Sequence, residues 1–145
     1  MRRLFLIPLF LSCASVEEEG RVKNVIESFS STFRVQPQSY VYHEFNISKG
    51  QHFRGFARII KGDDISFIFV LSEEDLKEFE RIFEEGLPLE DVKAKIKLFS
   101  QINTEFKFTA QETGKFYVVL GNTSFFKWKE IHLEYEVYEY EYRGR

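Results

Sequence analysis

The stretch that decides the fold is residues 112–137, ETGKFYVVLGNTSFFKWKEIHLEYEV. Gly114 permits a turn, the apolar run 116–120 is typical of a strand, and the Gly-Asn pair 121–122 is expected to break it. Residues 131–137 then alternate apolar with polar side chains, which indicates a strand with one face in a core. This order of turns and strands predicts the closing half of an antiparallel β-sandwich.

The earlier part of the chain continues this pattern, and it predicts strands at residues 29–35, 40–47, 53–60, 65–71, 95–99 and 104–110. The run 65–71 is apolar on both faces, as expected for a strand in the middle of a sheet. Gly55 interrupts its strand and predicts either a bulge or a close contact in the sheet. Residues 22–29 are ambiguous, because their apolar positions also fit a short amphipathic helix.

One α-helix is predicted at about residues 73–85. Ser72 stands in the N-cap position, and Asp75 follows three residues later, as in a capping box. One apolar stripe consists of Leu76, Phe79, Ile82 and Phe83. Gly86 and Pro88 are expected to end the helix. The stripe predicts that this inserted helix packs on the sandwich, at one of its open ends.

Two segments carry a family resemblance: residues 45–79, FNISKGQHFRGFARIIKGDDISFIFVLSEEDLKEF, and residues 112–137. Their order of strands and Gly turns resembles the GOLD (Golgi dynamics) domain of the emp24-type family. The resemblance implies an antiparallel jelly-roll β-sandwich, and in eukaryotic members a lumenal protein-binding module of cargo receptors. Residues 138–145 are too short and charged for the membrane helix of those receptors, and Cys13 has no partner for their disulfide. We therefore carry over the fold only, in a prokaryote-like exported version.

The N-terminus has the features of an export signal. Arg2 and Arg3 precede the apolar run 4–11, and small residues follow, so residues 1–13 are predicted to be a signal peptide or lipoprotein signal. Cys13 is either the lipid-modified first residue of a lipoprotein, since F-L-S-C resembles a lipobox, or is removed by cleavage after Ala14 or Ser15. The protein is therefore expected to be exported, as a periplasmic or membrane-anchored lipoprotein or to the extracellular space.

After this signal, residues 14–21 are predicted to be an acidic spacer, and residues 22–145 a single sandwich domain. The net charge of the whole chain is −3; without residues 1–13, 18 basic residues face 23 acidic ones, which gives −5. This balance argues against nucleic acid as a partner and shows no polybasic run for anionic lipid. Membrane contact is expected only through a lipid anchor at Cys13.

The sequence contains no recognisable catalytic or metal-binding motif. His43, His52 and His132 lack the spacings of a metal site, and neither a nucleophile elbow nor a phosphate loop is present. His43 is expected in the core or at its rim, and His132 on a solvated face. Asp63 and Asp64 are expected to form a turn rather than a calcium site. We predict no catalytic residue, no metal and no cofactor.

The candidate binding surface consists of Trp128, Tyr138, Tyr140 and Tyr142. Tyrosine offers a large amphipathic contact area and is common in interfaces. A bulge near Val137 is expected to place the tyrosines on the same face as the apolar residues before them. The alternative is that these rings close an end of the sandwich and that Trp128 plugs a corner.

The sequence therefore predicts a non-catalytic, exported β-sandwich that acts as a protein-binding or structural module of the cell envelope, with another envelope protein as partner. The alternatives are a glycan-binding module or an enzyme whose site forms across strands. Exposed coplanar aromatic rings favour the glycan, and a buried Glu and His pair favours catalysis. A flat sheet face or a free edge favours a protein. No oligomeric state is indicated.

Overall fold

The computed structural model describes residues 20–142. Its elements are strands β1 (Arg21–Val35), β2 (Ser39–Ile47), β3 (His52–Lys61) and β4 (Ile65–Ser72), helix α1 (Glu73–Glu84), a short 3-10 helix (Leu89–Asp91), and strands β5 (Ile96–Gln101), β6 (Asn103–Thr109), β7 (Gly114–Asn122) and β8 (Lys129–Tyr142). The predicted signal peptide, Cys13 and nearly all of the predicted spacer lie outside the described residues.

The strands form two four-stranded sheets. The first sheet has the order β1-β8-β3-β6, and the second sheet has the order β2-β7-β4-β5. Antiparallel pairing joins β1 to β8, β2 to β7, β3 to β6 and β4 to β5, which is the winding of a jelly roll. The mainly β, jelly-roll β-sandwich with one inserted helix is thus confirmed.

The core between the sheets is rich in phenylalanine. Phe45 of the second sheet stacks on Phe53 of the first, with ring centroids 4.6 Å apart. Gly55 makes room for the ring of Phe106, since a Cβ at residue 55 would lie 2.6 Å from that ring. Of the two alternatives for Gly55, close contact is therefore correct. The bulge of β3 lies elsewhere, between Ile59 and Lys61.

Helix α1 covers the outer face of the second sheet. The Ser72 hydroxyl accepts a hydrogen bond from the Asp75 N–H, as the sequence predicted for the cap. The buried side of the helix (Leu76, Phe79 and Ile82) packs against Phe67, Phe69, Leu71, Tyr117 and Val119. The expectation that the helix sits at an open end is wrong, because both faces of β4 and β7 are apolar and the outer one needs a cover.

Strand β7 continues through Gly121 and Asn122, so the expected break at these residues is wrong. Gly121 pairs with Phe67 of β4, and a Cβ at residue 121 would overlap the Phe67 ring. The glycine therefore serves a close side-chain approach within the strand rather than a turn. The turn comes later, at residues 123–128.

Strand β1 is 15 residues long, so residues 22–29 are extended and the short helix considered for them is not formed. Val25 pairs with Tyr138 and Glu27 with Val137, which leaves Ile26 as an extra residue in β1. This bulge accommodates the twist of a long edge strand.

We predict that Gly121→Ala lowers the free energy of unfolding by about 1–3 kcal/mol, because the new methyl group overpacks the space of the Phe67 ring. Urea denaturation measures the change. Gly114→Ala in the same strand is the control, since the nearest heavy atom would lie 3.9 Å from its Cβ. Equal effects of the two substitutions would contradict the packing role of Gly121.

Candidate functional site

The three candidate tyrosines lie on the outer face of the first sheet. Tyr135 and Val137 point into the core, and β8 continues without an extra residue, so Tyr138, Tyr140 and Tyr142 point away from it. The expectation that a bulge near Val137 in β8 turns them inward is wrong. The bulge belongs to β1, on the partner strand.

Two of the tyrosines are partly covered by cationic neighbours. The Lys23 Nζ lies 4.7 Å from the centroid of the Tyr138 ring, and the Arg21 guanidinium lies 3.8 Å from that of Tyr140. The two rings meet at 83° rather than in one plane. Burial, followed by the neighbouring Tyr140, raises the pKa of the Tyr138 hydroxyl. Tyr142 is 72% exposed.

Trp128 lies at the other end of the sandwich. It precedes β8, and the ten residues from Trp128 to Tyr138 correspond to about 33 Å of extended chain. Its ring is half exposed and lies under the Arg34 guanidinium, 4.3 Å from centroid to carbon. The four candidate residues therefore do not form one surface, and the structure divides them between two ends.

Between these ends, the outer face of the first sheet contains a shallow depression of about 590 Å³. Its lining includes Ser28, Ser30, Arg54, Phe56, Glu134 and Glu136. Burial lowers the pKa of the Arg54 guanidinium, but its ion pair with Glu105 and the nearby Glu136 outweigh this effect, so the pKa is raised. Within residues 20–142, no helix covers this face, whereas α1 covers the corresponding face of the second sheet. A partner has direct access to an arginine and a partly exposed phenylalanine here.

His132 forms the centre of a polar cluster on the same face. Its Nδ1 lies 2.9 Å from the Thr32 hydroxyl, and its Nε2 lies 3.0 Å from the Glu134 carboxylate. A hydroxyl, imidazole and carboxylate in series also occur in hydrolases, but there the acid is buried and the site is enclosed. Here the Glu134 side chain is 55% exposed on an open strand. The cluster therefore orders the surface without enclosing a substrate.

His43 points into the sandwich, as expected for a core or rim histidine. Its ring stacks on Phe29, with centroids 3.8 Å apart. Burial lowers the pKa of His43, and the nearby carboxylates of Glu27 and Glu44 offset only part of this effect. The Tyr135 hydroxyl beside it donates a hydrogen bond to Glu27.

Asp63 and Asp64 hold a lysine. The Nζ of the buried Lys129 lies 2.8 Å from Asp64, 3.2 Å from Asp63 and 3.2 Å from the Ser66 hydroxyl. The turn predicted for the two aspartates is present, and a lysine ammonium occupies the position between their carboxylates. Across residues 20–142, no group of three or more His, Cys, Asp or Glu side chains is arranged to hold a metal ion.

Two highly exposed phenylalanines were not predicted from the sequence as site residues. Phe125 and Phe126 are 71% and 89% exposed, in the turn between β7 and β8. We call residues 123–128 the aromatic loop. The available signal was a pair of adjacent aromatic residues that follows a strand and fits neither alternation nor a helical stripe.

Asn122 fixes the aromatic loop from the inside. Its buried amide donates to the carbonyl oxygens of Val35 (3.1 Å) and Lys127 (2.8 Å) and accepts from the Ser124 N–H (2.9 Å). The Ser124 hydroxyl accepts from the Lys127 N–H, and the Ser124 carbonyl accepts from the Gln38 N–H. The loop is thus held in one shape while its two phenylalanines remain exposed.

None of the helices in the described part of the chain has the length and apolar character needed to cross a membrane.

No family model matches the chain, and the comparison with curated proteins finds no match. Among solved structures, the chain is similar to PliG of Aeromonas hydrophila, a periplasmic inhibitor of g-type lysozyme, with 8% identity, a TM-score of 0.47 and coverage of 86% of this chain and 92% of that one. It is also similar to a chain of the disulfide-linked pili of Bacillus endospore appendages, with 13% identity, a TM-score of 0.45 and coverage of 90% and 98%. Both TM-scores are below 0.5, so these likenesses carry no argument about function.

We predict that Asn122→Ala lowers the free energy of unfolding by about 2–4 kcal/mol, because two carbonyl groups and one N–H group lose their partner. Hydrogen exchange of the Ser124 and Lys127 amides should also accelerate. The exposed Asn46 of β2 provides the control, and Asn46→Ala should change stability by less than about 0.5 kcal/mol. Unchanged exchange in the Asn122 variant would show that other contacts fix the loop.

We predict that the stability of the protein depends on pH through the lowered pKa of His43. Its pKa is lower in the folded protein than in the unfolded chain, so the unfolded chain binds the extra proton and stability falls as pH drops through about 6.5. His43→Gln removes this contribution. The difference in unfolding free energy between wild type and variant should therefore shrink from about pH 7.5 to about pH 5.5. A difference that is constant over this range contradicts the prediction.

Proposed function

We propose that this chain is a non-catalytic binding module of the cell envelope and that the outer face of its first sheet binds a protein partner. The observation that carries the proposal is the difference between the two outer faces. Helix α1 covers that of the second sheet, whereas the first sheet exposes Arg54, Phe56 and the tyrosines of β8. Arginine and aromatic side chains on an open face are typical of protein interfaces.

The geometry of this face favours a protein over a glycan. A glycan-binding platform needs coplanar exposed rings, but Tyr138 and Tyr140 meet at 83° and are capped by Lys23 and Arg21. Trp128 lies too far away to extend the platform. A surface that combines aromatic rings with side chains of both charges, such as Arg54 and Glu134, instead suits a protein partner that offers complementary charges and apolar side chains.

The same face offers little to a catalytic mechanism. His132 and Glu134 converge, as an enzyme would require, but Glu134 is more than half exposed. A general acid or base needs a substrate held beside it, and an open strand surface does not enclose one. The chain is therefore assigned a binding role.

The location in the envelope rests on the N-terminal sequence, where Arg2, Arg3 and the apolar run 4–11 form an export signal. Lipid modification of Cys13 stays a prediction. The resemblance to the GOLD family also stays a prediction, and it adds to the proposal a fold that is used for protein binding in other members.

The proposed face is tested by site-specific photo-cross-linking. A benzoylphenylalanine at the position of Phe56 is compared with one at Lys77 on the exposed side of α1, and both proteins are incubated with the native envelope fraction. We expect a defined protein adduct from position 56 and none from position 77. Equal adducts from both positions, or none from either, would overturn the proposal.

Variants of the same face measure its contribution. Arg54→Glu combined with Phe56→Ser should reduce capture of the cross-linked partner by about tenfold or more, because each removes a contact of hot-spot type. Lys77→Glu on α1 is the matched control and should leave capture unchanged. If soluble oligosaccharides, and not an excess of the free sandwich domain, release the captured partner, the face binds a glycan. That result would reject the proposed protein partner.

A further inference from the structure

The aromatic loop presents apolar rings to water in a fixed shape. Phe125 and Phe126 are 71% and 89% exposed, and Asn122 holds the turn that carries them. Neighbouring apolar rings exposed to this degree favour contact with a protein or a membrane, which removes their surface from water. Because the loop is already ordered, binding through it loses little conformational entropy.

More exposed apolar side chains lie at the same end of the sandwich. Ile60 is 45% exposed and Ile102 is 62% exposed. Ile59 pairs with Ile131 near the start of β8, so the neighbouring Ile60 lies beside the chain that leaves the aromatic loop, and Ile102, whose carbonyl accepts from the Ile59 N–H, lies one strand further away. This end of the first sheet therefore exposes apolar side chains besides the two rings.

Four basic residues from separate segments lie at the same end of the first sheet: Arg34, Arg58, Lys61 and Lys127. In the strand register, Arg34 of β1 and Lys61 of β3 lie opposite Glu130, on either side of β8. Lys129 offsets one of the two negative charges of Asp63 and Asp64 in the neighbouring turn. Glu84 lies on the other side, near the second sheet. The first-sheet side of this end is therefore basic, although the whole chain has a net charge of −3.

We propose that the aromatic loop is a docking site for an anionic lipid bilayer. Phe125 and Phe126 enter the boundary between headgroups and acyl chains, Trp128 lies at headgroup depth, and the four basic side chains contact lipid phosphates. The charge of this end complements an anionic surface. These basic residues form no run in the sequence because they are far apart in the chain and come together only in the fold.

The shape of the loop favours a bilayer over a protein at this end. The rings project from the tip of a turn, and a protein partner would need a pocket for each of them. A bilayer accepts projecting rings without any preformed complementary shape. The exposed stem atoms of lysine and arginine also suit this boundary, because they lie along apolar surface while their charged groups reach the phosphates.

This docking site is distinct from both other proposals. The outer face binds its protein partner through Arg54 and Phe56, which the aromatic loop does not include. Cys13 precedes Arg21 in the sequence, and β1 separates Arg21 from Val35 at the loop end by about 50 Å. Membrane binding through the loop can therefore be measured without the anchor.

The test measures binding to vesicles with the chain from residue 14 onward, which contains the whole described sandwich and lacks the apolar signal. Vesicles of phosphatidylcholine and phosphatidylglycerol in equal parts are compared with pure phosphatidylcholine. We expect sedimentation with the anionic vesicles, weakened as salt rises from about 0.1 M to about 1 M and the Debye length falls from about 10 Å to about 3 Å. Trp128 is the single tryptophan, so its fluorescence should shift to the blue and be quenched by brominated lipid.

Paired substitutions decide whether the aromatic loop is the contact. Phe125→Ser with Phe126→Ser should lower the partition coefficient by about a hundredfold or more. The control is Val25→Ser with Ile26→Ser, because these adjacent apolar residues are each 48% exposed at the opposite end of the sheet, beside Tyr138. This control should bind as wild type does, and thermal unfolding verifies that both variants are folded.

Three results would overturn the proposal: no sedimentation of the wild type with anionic vesicles, no loss in the Phe125 and Phe126 variant, or an equal loss in the control. If the loop variant instead loses cross-linking to an envelope protein while vesicle binding is unchanged, the loop contacts a protein. Failure of the vesicle test leaves the cross-linking result at Phe56 unaffected, so the two proposals are separable.

Discussion

The pairing of β8 with both β1 and β3 is the constraint on which the rest of the structure depends. Strand β8 is 14 residues long and lies inside the first sheet, between the long edge strand and β3. Its inward residues fill the core, and its outward residues carry the polar cluster and the tyrosines. Its first residue, Lys129, locks the turn at Asp63 and Asp64, and thereby also fixes where the aromatic loop ends. Both proposed surfaces are therefore positioned by one strand.

The outer face is covered in the second sheet and exposed to solvent in the first, and the pattern of buried side chains along the strands explains this difference. Strand β4 is buried on both sides along nearly its whole length, so its sheet requires a cover, which α1 supplies. Strand β8 alternates buried with half-exposed residues until Val137, so its sheet needs none. The outer face of the first sheet is thus exposed because its outward residues are polar or aromatic, and these residues remain available to a partner.

Most of the fold was readable from local patterns, and the errors arose where a distant residue decides the conformation. The cap at Ser72, the helix stripe and the doubly apolar β4 follow from neighbours in sequence. The glycine at position 121 looked like a turn because its reason, the ring of Phe67, lies on another strand. The phase of the tyrosines was misjudged because the bulge that adjusts the register belongs to β1. The basic residues around the aromatic loop are likewise brought together only by the fold.

The edge strand β1 of the first sheet is poorly suited to pairing with another chain. Partners are therefore expected to bind the open face and the aromatic loop instead. An edge strand as long as β1 invites pairing with another chain, and proteins protect such edges with bulges and inward charges. Here Ile26 bulges out of the ladder, and the next residue, Glu27, turns inward to accept a hydrogen bond from the Tyr135 hydroxyl. An added strand would have to cross this irregularity and desolvate the carboxylate. Pairing is therefore disfavoured along the middle of β1, and contact is directed to side chains that project from the face and the loop.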